Sequence, residues 1–378
     1  MSPETKSSTP PAIISPELSK KLLVVSFLSA LGVVLIHSFP STITNKEKIT
    51  VGVFICNCVE QSSRFAVPLF FVISGFLFAR KTHFECHHWY IEMTKKKIKT
   101  LLFPFLVWCT IYAVSYIPFK LYGNYLAGRD LTYALPMLDH PILSGWNIFN
   151  IYGLSLKTYP GCPIIWFVRN LFLLFLFSPL FLFLFRKRFV AILFLSVVFL
   201  LNVFETAIPF WNINRVFTLR GLFFFPLGIF FSCYPVSHDS FPLIRRALPF
   251  LWVLSSVVTS ICLSLDILEM PYSSFLSFLH TLLGIGAIWV LPDQIPSLLR
   301  IESWKFSRDT FFLYMFHYLV LAFIFPNTLE KILLNKMHIP ILLVYFLRAV
   351  CSTVFSLIVA AFLKKHFAKL YRFLIGGR

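Results

Sequence analysis

Long apolar runs separated by short polar, mostly basic connections dominate the chain. Runs of near 20 residues with few charges begin near Leu22, Val51, Ile98, Ile164, Phe189, Phe217, Ala247, Tyr272, Asp309 and Ile341. A helix rising 1.5 Å per residue needs about 20 residues to cross a hydrocarbon core of ~30 Å, so the pattern predicts an all-α polytopic membrane bundle of about ten transmembrane helices. Met1 to Ser19 is polar and carries Pro10, Pro11 and Pro16, which predicts a short disordered tail. Residues 20–370 read as one membrane domain and 371–378 as a second short tail. The first run follows Lys20 and Lys21 as a signal peptide would, but it ends in His37, Phe39 and Pro40 with no small-x-small cleavage site, which predicts an uncleaved span.

Composition agrees with that class: 58% of residues are hydrophobic, 13% are charged, and 46 are Phe, far from the usage of a soluble domain. The net charge of +18 raises nucleic acid as a partner, and the placement of the charges answers it. With the amino terminus inside, 22 of the 34 Lys and Arg fall in cytoplasmic segments, 8 in outer loops and 4 within spans. That alternation is the positive-inside pattern; it puts both termini in the cytoplasm and makes anionic lipid, not nucleic acid, the partner of the basic loops. The eight cysteines are scattered and suggest no disulfide framework. His83, Cys86, His87 and His88 crowd one predicted cytoplasmic loop, but their spacing matches no standard zinc site, so no metal is expected. The longest connection, Phe119 to Pro163, carries Tyr122, Tyr125, Tyr133, Trp146, Tyr152 and Tyr159, as interfacial anchors or as an aromatic cap suited to sugar rings.

Ionisable side chains inside apolar runs are costly and therefore informative. His37 comes late in the outward-going first span, Arg64, Arg169 and Arg220 come in inward-going spans, His317 lies midway along the ninth, and Arg348 early in the tenth. Each alone is explained by snorkelling or a local partner, and Glu60, four residues before Arg64, has the spacing of a same-face ion pair. Together they place a polar site in the outer half of the membrane. An imidazole there can take a proton from an attacking hydroxyl, and guanidinium groups can hold phosphate or a developing oxyanion. The same set suits an anion pathway, so a transporter or flippase for an anionic or glycan substrate stands as the alternative.

The run from Arg64 through Pro68-Leu-Phe-Phe-Val-Ile-Ser-Gly75-Phe-Leu-Phe78, after a first span ending Gly32-Val-Val-Leu-Ile-His37, resembles the acyltransferase-3 family of integral membrane enzymes. Lys99-Thr-Leu-Leu-Phe-Pro104, Trp166-Phe167, Phe225-Pro226-Leu-Gly228 and Phe311-Phe-Leu-Tyr314-Met-Phe-His317 extend the resemblance. It implies transfer of an acyl group, commonly acetyl from acetyl-CoA or another acyl-CoA, to a hydroxyl of an envelope glycan or lipid-linked sugar, by a multi-pass protein of the cell (inner) membrane with no permanently bound cofactor. On this basis His37 is expected as general base or transient acyl carrier and Arg64 as the charge-stabilising or donor-binding group. Glu60, Ser74, Trp166, Arg169, Arg220 and His317 are further site candidates, with Ser74 shaping the backbone beside the site. Lys95, Lys96, Lys97 and Lys99 are candidates to meet coenzyme A phosphates from the cytoplasm, with a purely topological role as the alternative.

One position departs from the family pattern. Members carry an Arg eleven residues before the first-span His, where this chain has Ser26. Eleven residues turn through about 1100°, within about 20° of whole turns, so Ser26 shares the His37 face roughly 16 Å below it. Ser26, Ala30 and Val33 are then expected to form a small, nearly neutral floor past which the acyl arm reaches His37. An inactive sensor derived from the enzyme family is a third reading that this departure favours.

Overall fold

The computed structural model describes residues 14–41, 43, 50–81, 88–126, 128, 152, 163–204, 218–235, 241–269, 271–303 and 305–377. Among them there are helices and no strands, which follows from a chain whose backbone groups must be satisfied within each apolar segment. The helices are α1 (Pro16–Ser38), α2 (Val51–Ser63), α3 (Ala66–Lys81), α4 (Trp89–Lys97), α5 (Phe103–Leu126), α6 (Trp166–Leu176), α7 (Ser178–Leu184), α8 (Arg188–Val203), α9 (Leu219–Cys233), α10 (Pro242–Ser264), α11 (Tyr272–Gln294), α12 (Thr310–Phe323), α13 (Asn327–Lys331), α14 (Ile341–His366) and α15 (Ala368–Leu374). A π-helical segment, Ile98–Leu102, joins α4 to α5.

Each of the ten apolar runs contains helix, yet they are not ten equal spans. Among the described residues, six stretches are long and apolar enough to cross a membrane: Pro16–Ser38, Val51–Arg80, Trp89–Ser115, Pro242–Ser264, Tyr272–Gln294 and Ile341–His366. Two bent pairs, α6 with α7 at 57° and Ser307–Phe323 with Asn327–Lys336 at 58°, raise the number to eight. The bends fall at Pro179, in the first turn of α7, and at Pro326, just before α13, where proline cannot continue the backbone ladder. The remaining two runs, α8 and α9, have 16 and 15 residues. At 1.5 Å per residue they reach only about 24 and 22 Å, short of the ~30 Å core.

Helix α1 is the central element and touches α2, α3, α11, α12 and α14. Ser15 starts it, its hydroxyl accepting the Leu18 N–H at 3.2 Å with Pro16 in the first turn. Helices α3 and α9 pack backbone on backbone. A Cβ on Gly75 would lie 2.0 Å from the Phe225 carbonyl oxygen, and one on Gly228 2.0 Å from that of Val72. The close approach draws Phe78, Phe175, Phe181 and Phe225 into one edge-rich aromatic core, with ring centres 5.1 to 6.1 Å apart.

At the opposite end from His37, Asp293 binds Lys21 Nζ at 2.6 Å and Arg245 Nη2 at 2.7 Å, tying α1, α10 and α11. Asp309 accepts from Lys364 Nζ at 2.6 Å and from the Tyr371 hydroxyl. Tyr371, Leu374 and Ile375 are buried, and the Trp108 indole N–H donates to Leu374 O at 3.0 Å. Residues from 371 on, read in the sequence as a tail, therefore begin as part of a packed helix. Burial, and next the Asp309 carboxylate, push the Tyr371 phenol far above its ordinary pKa, so it stays a donor. Residues 1–13 of the amino-terminal tail, His83, Cys86 and His87, and all but Tyr152 of the outer-loop residues between 129 and 162 lie outside the described residues.

Candidate functional site

His37 occupies the last turn of α1 and meets α12. Its ring centre is 5.4 Å from that of His317 and 5.8 Å from that of Tyr318. His317 is completely buried, and its Nδ1 lies 2.8 Å from Tyr314 O and 3.2 Å from Leu313 O. A carbonyl only accepts, so Nδ1 carries the proton and Nε2 holds a lone pair. That Nε2 is buried without a hydrogen-bond partner among the described residues. An orphaned buried acceptor calls for an explanation, and a base kept for an incoming hydroxyl is one. Ser352 Oγ donates to His317 O at 2.9 Å and locks the turn from α14.

One turn nearer the amino-terminal end of α14 and on the same face as Ser352, Arg348 forms a buried ion pair with Glu330 of α13, whose Oε1 also accepts from Ser41 Oγ at 3.2 Å. The pair lies above the two histidines and ties α13, α14 and the chain after α1 together. Arg348 was visible in the sequence as a charge in an apolar run. Glu330 was missed; its signal is a lone acid between the ninth and tenth runs, and its partner is eighteen residues away.

Arg64 does not join His37 through any described contact. Its guanidinium binds Glu60, Nη2 to Oε1 at 2.9 Å and Nε to Oε2 at 3.2 Å, which is the same-face pair expected from the spacing. It sits in the turn between α2 and α3, beside Gly32 of α1, whose missing Cβ leaves 3.0 Å to Ala66 Cβ and 3.4 Å to Ser63 O. Gly32 precedes His37 by five residues, so Arg64 lies about 7.5 Å below His37 along the α1 axis.

On the other side of the histidines is a cavity of about 730 Å³. Lys96, Lys97, Glu92 and Arg308 line one end, and the rest of the wall is mostly apolar, with Ser26, Ser74, Thr100 and Thr310 as its hydroxyl groups besides Tyr314. Lys97 Nζ lies 3.5 Å above the Phe175 ring, and Thr100 and Leu101 of the π-helical segment complete the wall. The deep end is roofed by Phe70, Phe167 and Tyr314, whose ring centres are 5.7 to 6.2 Å apart. Tyr314 Oη donates to Ile164 O at 2.5 Å, and Tyr314 O accepts the hydrogen bond from His317 Nδ1–H. One helical turn thus separates the roof from the histidine pair.

Several expectations change in detail. Of the four lysines, Lys96 and Lys97 line the cavity, whereas Lys95 and Lys99 are not among its lining residues. Trp166 opens α6 against Phe71 at 6.4 Å, and its neighbour Phe167 is the one that faces the cavity. Arg169 is buried on α6 and Arg220 is half-buried at the start of α9; neither is among the described lining residues. Ser26 does lie on the cavity wall, but Ala30 is fully buried in a cluster with Leu313 and Ala349, so the open space does not follow α1 upward past it.

A bundle of apolar helices with a cavity basic at one end and a histidine pair beyond the other has the build of a membrane-embedded group-transfer protein. The chain belongs to the acyltransferase-3 family: the family's acyltransferase domain model matches residues 25–365. It is accordingly a multi-pass membrane acyltransferase. Comparisons with curated proteins and with solved structures gave no match.

Proposed function

We propose that the protein moves an acyl group, acetyl in the simplest case, from a coenzyme A thioester on the cytoplasmic side to a hydroxyl of an envelope glycan or lipid-linked sugar on the outer side of the cell (inner) membrane. The reading takes the ten helical runs as ten passes with both termini cytoplasmic, the two short ones and the two bent ones included. The observation that carries it is the cavity: cations at one end, an apolar shaft, and a roof one helical turn from a histidine whose Nε2 lone pair is buried.

Lys96, Lys97 and Arg308 would take the diphosphate and 3′-phosphate of the donor, with Lys97 held over Phe175. The pantetheine arm would run past Ser26 and Ser74 to Tyr314. With Ser26 in place of an arginine the shaft holds no cation at that level, and the grip on the donor falls to the mouth. The acyl end passes the Phe70–Phe167–Tyr314 roof. The acceptor oxygen then attacks the thioester carbonyl carbon while His37 or His317 Nε2 takes its proton. The tetrahedral oxyanion collapses, the C–S bond breaks, and the departing thiolate recovers the proton from the imidazolium. Arg348 and Glu330 close the outer side, and Arg64 supplies positive charge from below.

Membranes carrying the protein, offered radiolabelled acetyl-CoA, should incorporate label into glycan or lipid. His37→Ala and His317→Ala should each lower the rate by about a hundredfold or more, the range of general-base removal. Ser26→Trp, which fills the shaft without touching either histidine, should abolish incorporation in a folded protein. Label incorporation unaffected by His37→Ala, or movement of unmodified glycan in place of acylation, would contradict the proposal. Mass spectrometry of the labelled product names both the acyl group and the acceptor.

A further inference from the structure

His280 has no part in the chemistry proposed above, yet it is built into the turn that carries Arg64. Helix α2 ends at Ser63 and α3 begins at Ala66; between them the Arg64 N–H reaches back only three residues, to Gln61 O at 3.0 Å. That same oxygen lies 2.8 Å from His280 Nε2 on α11. A carbonyl has two lone pairs and only accepts, so Nε2 is the donor and both N–H groups are accommodated. The other ring nitrogen, Nδ1, is 2.8 Å from Ser255 Oγ on α10, which fixes the ring plane. His280 is 1% exposed, so no water competes for these bonds.

Three further contacts hold the residues on either side of Arg64. Gly284, one turn beyond His280 on the same face, leaves 2.9 Å between its missing Cβ and Phe65 Cβ. Phe65 packs edge-on against Trp252 at 5.6 Å, and Ser62 Oγ donates to Ser256 Oγ at 2.8 Å. Helices α10 and α11 therefore grip Gln61, Ser62 and Phe65. We propose that His280 is a positioning residue that fixes the α2–α3 turn and, through Gln61, the place of Arg64. The proposal rests on the acyl-transfer reading for the role of Arg64, and on geometry alone for the role of His280. Interhelical hydrogen bonds contribute modestly to bundle stability, whereas displacement of a site group by about 1 Å costs on the order of a hundredfold in rate.

The test uses full-length protein in membranes and two readouts. In the first, label incorporation from acetyl-CoA is measured for His280→Asn, too short to reach Gln61 O, and for His280→Gln, which keeps a donor near the Nε2 position. The expected result is a 10- to 100-fold (order-of-magnitude) fall in kcat for Asn with KM for acetyl-CoA within about twofold, recovery of most of the rate by Gln, and a further loss below about threefold when Asn is placed in an Arg64→Lys background. In the second, Arg64→Cys in a chain otherwise free of cysteine is labelled with a methanethiosulfonate reagent. His280→Asn should change that labelling rate by about tenfold and His280→Gln should restore it. Equal losses in both Arg64 backgrounds, equal behaviour of Asn and Gln, or an unchanged labelling rate would overturn the proposal. So would failure of His280→Asn to accumulate as folded protein, because His280 would then hold the bundle as a whole. If wild type incorporates no label, the acyl-transfer reading fails, and the thiol labelling decides on His280 independently.

Discussion

His37 and His317 stand 5.4 Å apart on different helices and are held differently: His317 is pinned through Nδ1 to its own helix, while His37 meets only rings among the described contacts. This division suits one fixed base beside one more adjustable ring. The Arg348–Glu330 ion pair belongs to the same neighbourhood, with side chains 5% and 0% exposed. Removing one partner leaves a buried charge uncompensated, so Glu330→Leu or Arg348→Met alone should lower stability by about 3–5 kcal/mol, and the two together by less than the sum. Thermal unfolding in detergent of the two single variants and the double checks this; additive losses would mean that the pair is not coupled. At this scale the sequence is legible where chemistry is out of place. His37, His317 and Arg348 stand out because an ionisable group in an apolar run is costly. Glu330 does not, because it lies close to polar residues and owes its burial to a partner brought by another helix. The choice between Trp166 and Phe167 turns on which side of α6 meets the cavity, and that depends on neighbours no local pattern reveals.

Among the elements, the closest packing is between α3 and α9, where Gly75 and Gly228 let backbones touch. Gly228→Ala would set a methyl 2.0 Å from Val72 O, with backbone on both sides and no flexible side chain to yield. The helices must separate, and the variant should lose most of its folded yield, read by fluorescence-detected size exclusion, whereas Gly286→Ala, which meets only Leu248 side-chain atoms at 3.3 Å or more, should not. The positions of all ten helical runs were legible because hydrophobic length is a strong signal. Their division was not. The prolines at both bends stand in the sequence, but hydrophobic length alone does not say that each bends its run, and the packing of α15 through Tyr371 and Leu374 depends on contacts made by other helices.

For the whole molecule, the organising feature is the direction of the cavity. Charges at Lys96, Lys97 and Arg308 lie at the end the positive-inside pattern assigns to the cytoplasm, and the histidines lie beyond the roof at the other end. The sequence reading expects the path to follow α1 past Ala30; Ala30 is packed against Leu313 and Ala349, and the open space lies instead between Ser26, Ser74 and Phe167. The central claim is that donor enters from the cytoplasmic mouth and reacts beyond the roof. Sealed vesicles of opposite orientation, each given external radiolabelled acetyl-CoA, test it most directly. Inside-out vesicles should acylate acceptor enclosed in their lumen, right-side-out vesicles should not, and His37→Ala should silence the former; equal labelling in both orientations, or undiminished labelling by His37→Ala, would contradict it.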